Sequence, residues 1–450
     1  MAKKSFRDFL RNLEDAGEIS RIKKIVDPRE MSGLAAQNDK ATIFEDIEGY
    51  PGWKTATALL SSRRRLAITL DCDEDKIAQT FEAASARQIE PEIVIDAPCQ
   101  EVVSSGDDVD LTSIPYPLMH VHDGGPYISG TFVVSKDAEY GRNVGSYRMM
   151  YRTPKETGID LVSPSDMRFY YQRALDRGEP LPIAVAIGVH PFEMLAASYK
   201  APIRTDELTL AGGLHGGPVP LVKCKTVDLE VPADAEIVLE GEILPTGWTA
   251  DEGPFGEFSQ ISGDVKWNPV FRVKCITRRR DPIFYMLQMP WENDWLSAPV
   301  TEAAGLQALR IASVEPVAIR APVGSCGYWT LIASIKKRPG EGKNALLALL
   351  SVAEVKLAIV TDEDIDINNP DDIDWALTFC VQADQDLVTL SGARGKHVDP
   401  SIRAWELGQG GLPLTAKLGI DATIPEGIPR WLYKRIQTYG KDRVRLEDYL

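Results

Sequence analysis

The stretch Asp251-Glu252-Gly253-Pro254-Phe255-Gly256-Glu257-Phe258 places two carboxylates five residues apart on a backbone broken by two glycines and a proline. The glycines supply unusual dihedrals and the proline a fixed φ, so this segment is expected to form neither regular helix nor ladder but a rigid loop with its side chains aimed. Glu252 and Glu257 held close together would repel as anions, raising at least one pKa and leaving an acid able to give up a proton near neutrality. Read as an ordinary surface turn the same residues are two solvated glutamates, but Phe255 and Phe258 pull the loop inward.

A chain of 450 residues exceeds one hydrophobic core, so two or three domains are expected. A formal charge of -16 argues against a nucleic-acid partner or an anionic membrane surface. Any anionic ligand must then be held by a local arrangement. The six cysteines are scattered without a Cys-x-x-Cys pair, which disfavours a thiolate zinc site or disulfide framework and fits a reducing cytoplasm. No apolar run approaches a membrane span or a signal peptide, so a cytoplasmic location is expected.

Ser5 followed by Asp8 reads as a capping box, opening a helix whose Phe6, Phe9, Leu10 and Leu13 share one face before Gly17. Strands over 19–25, 42–45 and 67–70 and a helix over 75–86 complete an expected α/β unit. From about Val102 the chain becomes β-rich. His120 and His122, at alternate positions, offer either a metal-binding face or ordinary loop histidines. If 142–151 is a strand, Ser146 and Arg148 share a face, and an inward arginine needs a carboxylate such as Glu252 or Glu257. The apolar run Leu181–His190 predicts a buried strand ending in an imidazole, and Glu207 opens a segment of small residues. Asn143, His190 and Glu207 form an oxygen and nitrogen set suited to Mn²⁺ or Mg²⁺, although spacing alone does not bring them together. Helices are expected over 301–313 and 343–354, a strand over 356–360, and a docking arm over 429–450. A Rossmann fingerprint and a P-loop are absent from the sequence.

Four ordered motifs together resemble the UbiD-like decarboxylases, reversible (de)carboxylases that use prenylated flavin mononucleotide. They are Asn143-x-x-x-x-Arg148, the strand closing Gly-Val-His190, Glu207-Leu-x-Leu-Ala-Gly, and Glu252-Gly-Pro-Phe-Gly-Glu257. The resemblance implies a multidomain α+β and α/β fold: an N-terminal α/β domain (1–105), a central split β-barrel binding prenylated FMN (106–300), and a C-terminal α/β domain with a dimerisation arm (301–450). It implies that Asn143, His190 and Glu207 hold a Mn²⁺ joined to the cofactor phosphate, with K⁺ near Val144 and the 197–199 loop. Val144, Ser146, Tyr147 and Arg148 would line the flavin. Arg148, Glu252 and Glu257 match a Glu-Arg-Glu catalytic network, with Glu257 as proton donor.

The implied reaction is non-oxidative decarboxylation of an aromatic or heteroaromatic acid to CO₂, in a homodimer or larger assembly, with a flavin prenyltransferase as cofactor source. The last glutamate stands where some ubiquinone-pathway members carry aspartate, which leans away from a 4-hydroxybenzoate-type substrate of that branch. A conventional FMN oxidoreductase on a split barrel is the alternative, and a non-enzymatic assembly protein is a third. The substrate-facing regions are expected at 286–296 and 319–328, and the phosphate-binding lysine is not placed.

Overall fold

The computed structural model of the chain describes residues 4–396, 398–402, 413–441 and 443–450. The opening helix is Phe6–Asp15, as its capping box predicts: the Ser5 hydroxyl accepts from Asp8 N–H, and the Asp8 carboxylate accepts from Ser5 N–H at 2.8 Å. Phe6, Phe9, Leu10 and Leu13 are buried. Next to it lies a four-stranded sheet in the order Ile19–Ile22, Ala41–Phe44, Lys54–Thr57, Ile283–Met286. The last strand arrives from far along the chain, so this unit is not closed within the first 105 residues. The segment 67–70, expected as a strand, is the end of the helix Arg63–Leu70. Ser62 caps that helix, accepting from Arg65 N–H, and Leu66, Ala67 and Leu70 then fall on one buried face.

The centre is a nine-stranded antiparallel sheet. Its path runs Tyr127–Ile128, Met149–Thr153, Glu156–Gly158, Val270–Arg278, Ile237–Ile243, Leu181–Ile187, Thr131–Asp137, Gly141–Gly145, with Val102–Ser105 added beside Val270–Arg278. Ile183 to Ile187 have no exposed surface, which is why this strand reads as one unbroken apolar run. The helices Asp166–Asp176, Pro191–Ser198 and Glu207–His215 pack on its strands. Among the described residues no pairing joins the two ends of the path, so the expected barrel is an open sheet.

The C-terminal unit is a five-stranded sheet, Pro316–Arg320, Thr330–Ile335, Leu357–Asp362, Leu414–Ala422, Leu387–Arg394, whose three middle strands run parallel. The helix Glu341–Ser351 buries Ala345, Leu346, Leu349 and Leu350 against it. The helix Trp291–Ile311 begins ten residues before the predicted one and runs through the expected boundary at 300. It packs on both Ile77–Ser85 and Pro191–Ser198, tying the units together. The arm over 429–450, apart from residue 442, carries short 3₁₀ turns and leaves Trp431, Ile436, Tyr439 and Leu450 exposed. No described helix is long and apolar enough to cross a membrane.

Candidate active site

The carboxylate loop departs from the sequence reading at its start. Ala250–Glu252 is a short strand paired with Lys266–Asn268, so Glu252 lies opposite Lys266. The ladder ends at Gly253, whose φ of +108° no L side chain adopts easily. Beyond it, Gly256 N–H donates to Asp123 Oδ1 at 2.9 Å, and a Cβ at Gly256 would come within 2.3 Å of His120 Nδ1. His120 contacts Asp123 through Nδ1 and the Met289 carbonyl through Nε2, which raises its pKa. It therefore braces the loop. His122 is exposed and does not share a metal-binding face with it.

The loop closes on Arg148. Its Nε donates to Glu252 Oε1 at 3.2 Å and its Nη1 to both oxygens of Glu257 at 3.0 Å. Nη1 also lies 3.0 Å from Asp160, and the guanidinium sits 4.7 Å over the Phe255 ring. Lys266 Nζ donates to Glu257 Oε1 at 2.9 Å. Glu252 has no exposed surface, and its Oε2 is buried without a partner. Burial pushes its pKa up to about 7 against the opposing pull of Arg148. Mutual repulsion of the two glutamates, the expected cause, is not the leading one, because Arg148 binds both. Ser146 and Arg148 do not share a strand face: the ladder breaks between Gly141–Gly145 and Met149–Thr153, and Arg148 lies in that break.

A cavity of about 770 Å³ opens beside this network. Asn143, Val144, Ser146, Tyr147 and Glu207 line it; Arg148, Glu252 and Glu257 do not, but Tyr147 precedes Arg148 and Phe258, next to Glu257, packs 5.7 Å from the ring of Tyr328, which also lines it. Glu207 begins the helix Glu207–His215, capped by Asp206, which Arg142 holds at 2.7 Å. Asn143 Nδ2 and Val144 N–H both donate to Glu207, at 3.3 and 2.9 Å. Burial raises Glu207 to about 7. Asn143 Oδ1 is buried with no partner, and Asp166, its own pKa raised by burial, lines the same wall. From the C-terminal unit come Arg394, Lys396 and Lys417, joined by Lys200. This donor set fits a phosphate next to a divalent cation: for one, Arg394 with Lys200 and Lys396, which Glu354 of the same wall pairs, and Lys417, which donates to the Leu350 carbonyl; for the other, an orphaned amide oxygen with two carboxylates.

His190 is not part of that set. It caps the helix Pro191–Ser198, its Nδ1 accepting from Phe192 N–H at 3.2 Å, and lies against His215, ring centroids 5.0 Å apart. His215 ends the helix that Glu207 begins, so the two are separated by roughly 12 Å of helix. The apolar strand does end by presenting an imidazole, but the Gly188 turn aims it at the far end of that helix. Burial keeps His190 neutral, its pKa driven well below 6.5.

Sequence reasoning missed Asp160, Lys266, Asp123, Asp166 and the cations of the cavity. A hairpin signal existed for Lys266, since Ser262 and Gly263 lie midway between it and Glu257 and Gly256 pairs with Ser262. Asp160 and the cations carry no local signal.

Three family profiles cover the chain: the 3-octaprenyl-4-hydroxybenzoate carboxy-lyase N-terminal domain over residues 10–84, its Rift-related domain over 92–290 and its C-terminal domain over 294–422. The chain belongs to the UbiD family of carboxy-lyases. Among its relatives, the anhydromevalonate phosphate decarboxylase of Methanothermobacter thermautotrophicus is 33% identical over 377 residues, covering 82% of this chain and 85% of that protein. The UbiD-class enzyme HmfF from Pelotomaculum thermopropionicum, solved in complex with FMN, matches with a TM-score of 0.92 and 34% identity over 99% of this chain and all of that one. The Klebsiella pneumoniae 3,4-dihydroxybenzoic acid decarboxylase AroY matches at 0.89 and 28%, covering 99% of each chain.

Proposed function

We propose that this chain releases CO₂ from an aromatic or heteroaromatic acid, reversibly and without oxidation, using prenylated FMN. The carrying observation is the Arg148 guanidinium bridging Glu252 and Glu257 beside a cavity built for a phosphate and a cation. In the proposed site Val144, Ser146 and Tyr147 would hold the flavin, and Lys200, Arg394, Lys396 and Lys417 its phosphate. Asn143 and Glu207 would hold Mn²⁺ together with Asp166, in the place expected for His190, and the carbonyls near Val144 and 197–199 would hold K⁺. When bound, the prenylated flavin accepts the electron pair that decarboxylation leaves on the substrate carbon.

The side chains supply the proton. As the C–C bond to CO₂ breaks, Glu257 in its protonated form gives its proton to the vacated carbon and becomes a carboxylate. Arg148 and Lys266, both within 3.0 Å, hold the carboxylate that this leaves. Glu252 has no exposed surface, while Glu257 keeps a little, which favours Glu257 as the group that reaches substrate. Lys266, about one quarter exposed, links Glu257 to solvent for reprotonation. In carboxylation the same group is the base.

The open nine-stranded sheet is proposed as the flavin-bearing unit, between α/β units at either end, and the exposed apolar arm over 429–450 as a contact between copies in a homodimer or larger assembly. Six free cysteines fit a reducing cytoplasm. Co-expression with a flavin prenyltransferase, then a CO₂-release screen on aromatic acids, tests the reading. Wild type should turn over and exchange the carbon-bound proton with deuterium, and folded Glu257→Gln should do neither. An active Glu257→Gln refutes the donor assignment, and binding of unmodified FMN with nicotinamide turnover refutes the reaction class.

A further inference from the structure

Outside this site the described residues contain one cluster of metal-ligating side chains: His190, Glu193 and His215, whose ligand atoms all lie within 4.8 Å of one another. They come from three places that the fold packs together. His190 follows the central strand Leu181–Ile187, Glu193 lies in the first turn of Pro191–Ser198, and His215 is the last residue of Glu207–His215. His215 Nε2 lies 3.0 Å from Glu193 Oε1.

A plain histidine–glutamate hydrogen bond accounts for only part of this. Glu193 is 4% exposed, and its Oε2 is buried with no partner. A buried carboxylate with one oxygen unanswered is costly unless a cation completes it. A cleft of about 410 Å³ reaches all three side chains, leaving room for an entering ion and a water ligand. Lys4 stands at the rim with its Nζ over the Phe192 ring, and Asp234 and Glu92 line the same cleft and offset its charge.

We propose that His190, Glu193 and His215 bind a divalent transition ion of the zinc class, at a site separate from the phosphate-linked cation. Two imidazoles and one carboxylate suit Zn²⁺ or Co²⁺ and leave a fourth position for water. His190 coordinates through Nδ1. It exchanges the 3.2 Å cap bond from Phe192 N–H for a coordinate bond. His215 turns from Glu193 to the ion. The bound ion fastens the C-terminal end of the Glu207–His215 helix to the central strand, which fixes where Glu207, at its other end, stands.

The test uses the full purified chain, stripped with chelator and titrated with Co²⁺, in wild type and in Glu207→Gln, which silences the other cation site. Nitrogen-rich four-coordinate Co²⁺ absorbs intensely in the visible, whereas oxygen-rich six-coordinate Co²⁺ absorbs weakly. Both proteins should show one equivalent with the intense spectrum, displaced by Zn²⁺. Glu193→Gln and His215→Gln should each abolish it, weakening binding by more than the roughly 10–100-fold that losing an outer-shell partner costs. Should either variant fail to fold, the Glu207→Gln spectrum decides alone. Absence of the intense band there, or its persistence in folded Glu193→Gln, overturns the site.

Discussion

Replacing Glu252 by glutamine isolates what the buried carboxyl costs the fold. Its pKa rises from 4.5 to about 7, chiefly because burial disfavours the anion, with Arg148 pulling the other way. A folded-state pKa above the unfolded one means that the native chain holds the proton more tightly. Its stabilising share is therefore full below about pH 4.5, falls as the pH climbs to about 7, and is gone beyond that. The gap corresponds to roughly 3 kcal/mol. Glutamine keeps the shape and an oxygen for Arg148 Nε, but has no proton to lose. In urea unfolding followed by tryptophan fluorescence, the stability difference between the two proteins should move in favour of Glu252→Gln by roughly 3 kcal/mol between about pH 4.5 and about pH 8. A difference that stays flat across that range, or moves the other way, would refute burial as the cause and with it the picture of a carboxyl held near neutrality beside the cavity.

Arg148→Met leaves Glu252, Glu257 and Asp160 without their shared cation, so calorimetry should show a loss of about 3–5 kcal/mol and CO₂ release should vanish. Gly256→Ala drives a Cβ to within 2.3 Å of His120, and the forced shift should cost about 1–3 kcal/mol in thermal unfolding and slow turnover by displacing Glu257. Lys266→Met removes a partly exposed partner of Glu257. Stability should change by no more than about 1 kcal/mol, while the rate of substrate-dependent deuterium exchange falls, since product carboxylate and solvent path both lose their cation.

Local signals were legible where one segment carries the whole cause. The Ser5 cap, the Phe6/Phe9/Leu10/Leu13 face and the buried Leu181–Ile187 strand need only their own neighbours. The segment 67–70 is ambiguous by itself because four apolar-rich residues fit either period, and Ser62, five residues upstream, decides for helix. The Glu252–Gly–Pro–Phe–Gly–Glu257 spacing marked a loop of aimed carboxylates, and the motif order pointed to the family.

Partners in space were another matter. Residue types named Asn143, His190 and Glu207 as one ligand set, yet a single nine-residue helix with Glu207 at one end and His215 at the other sends His190 to a different cluster. Sequence therefore determined which side chains are available for proton transfer, phosphate binding and metal ligation, and the loops and caps that present them. Tertiary packing decided which of them meet, because the burial that holds Glu252 near neutrality and the contacts that bring Arg148 to Glu252, Glu257 and Asp160 depend on segments far apart in the chain.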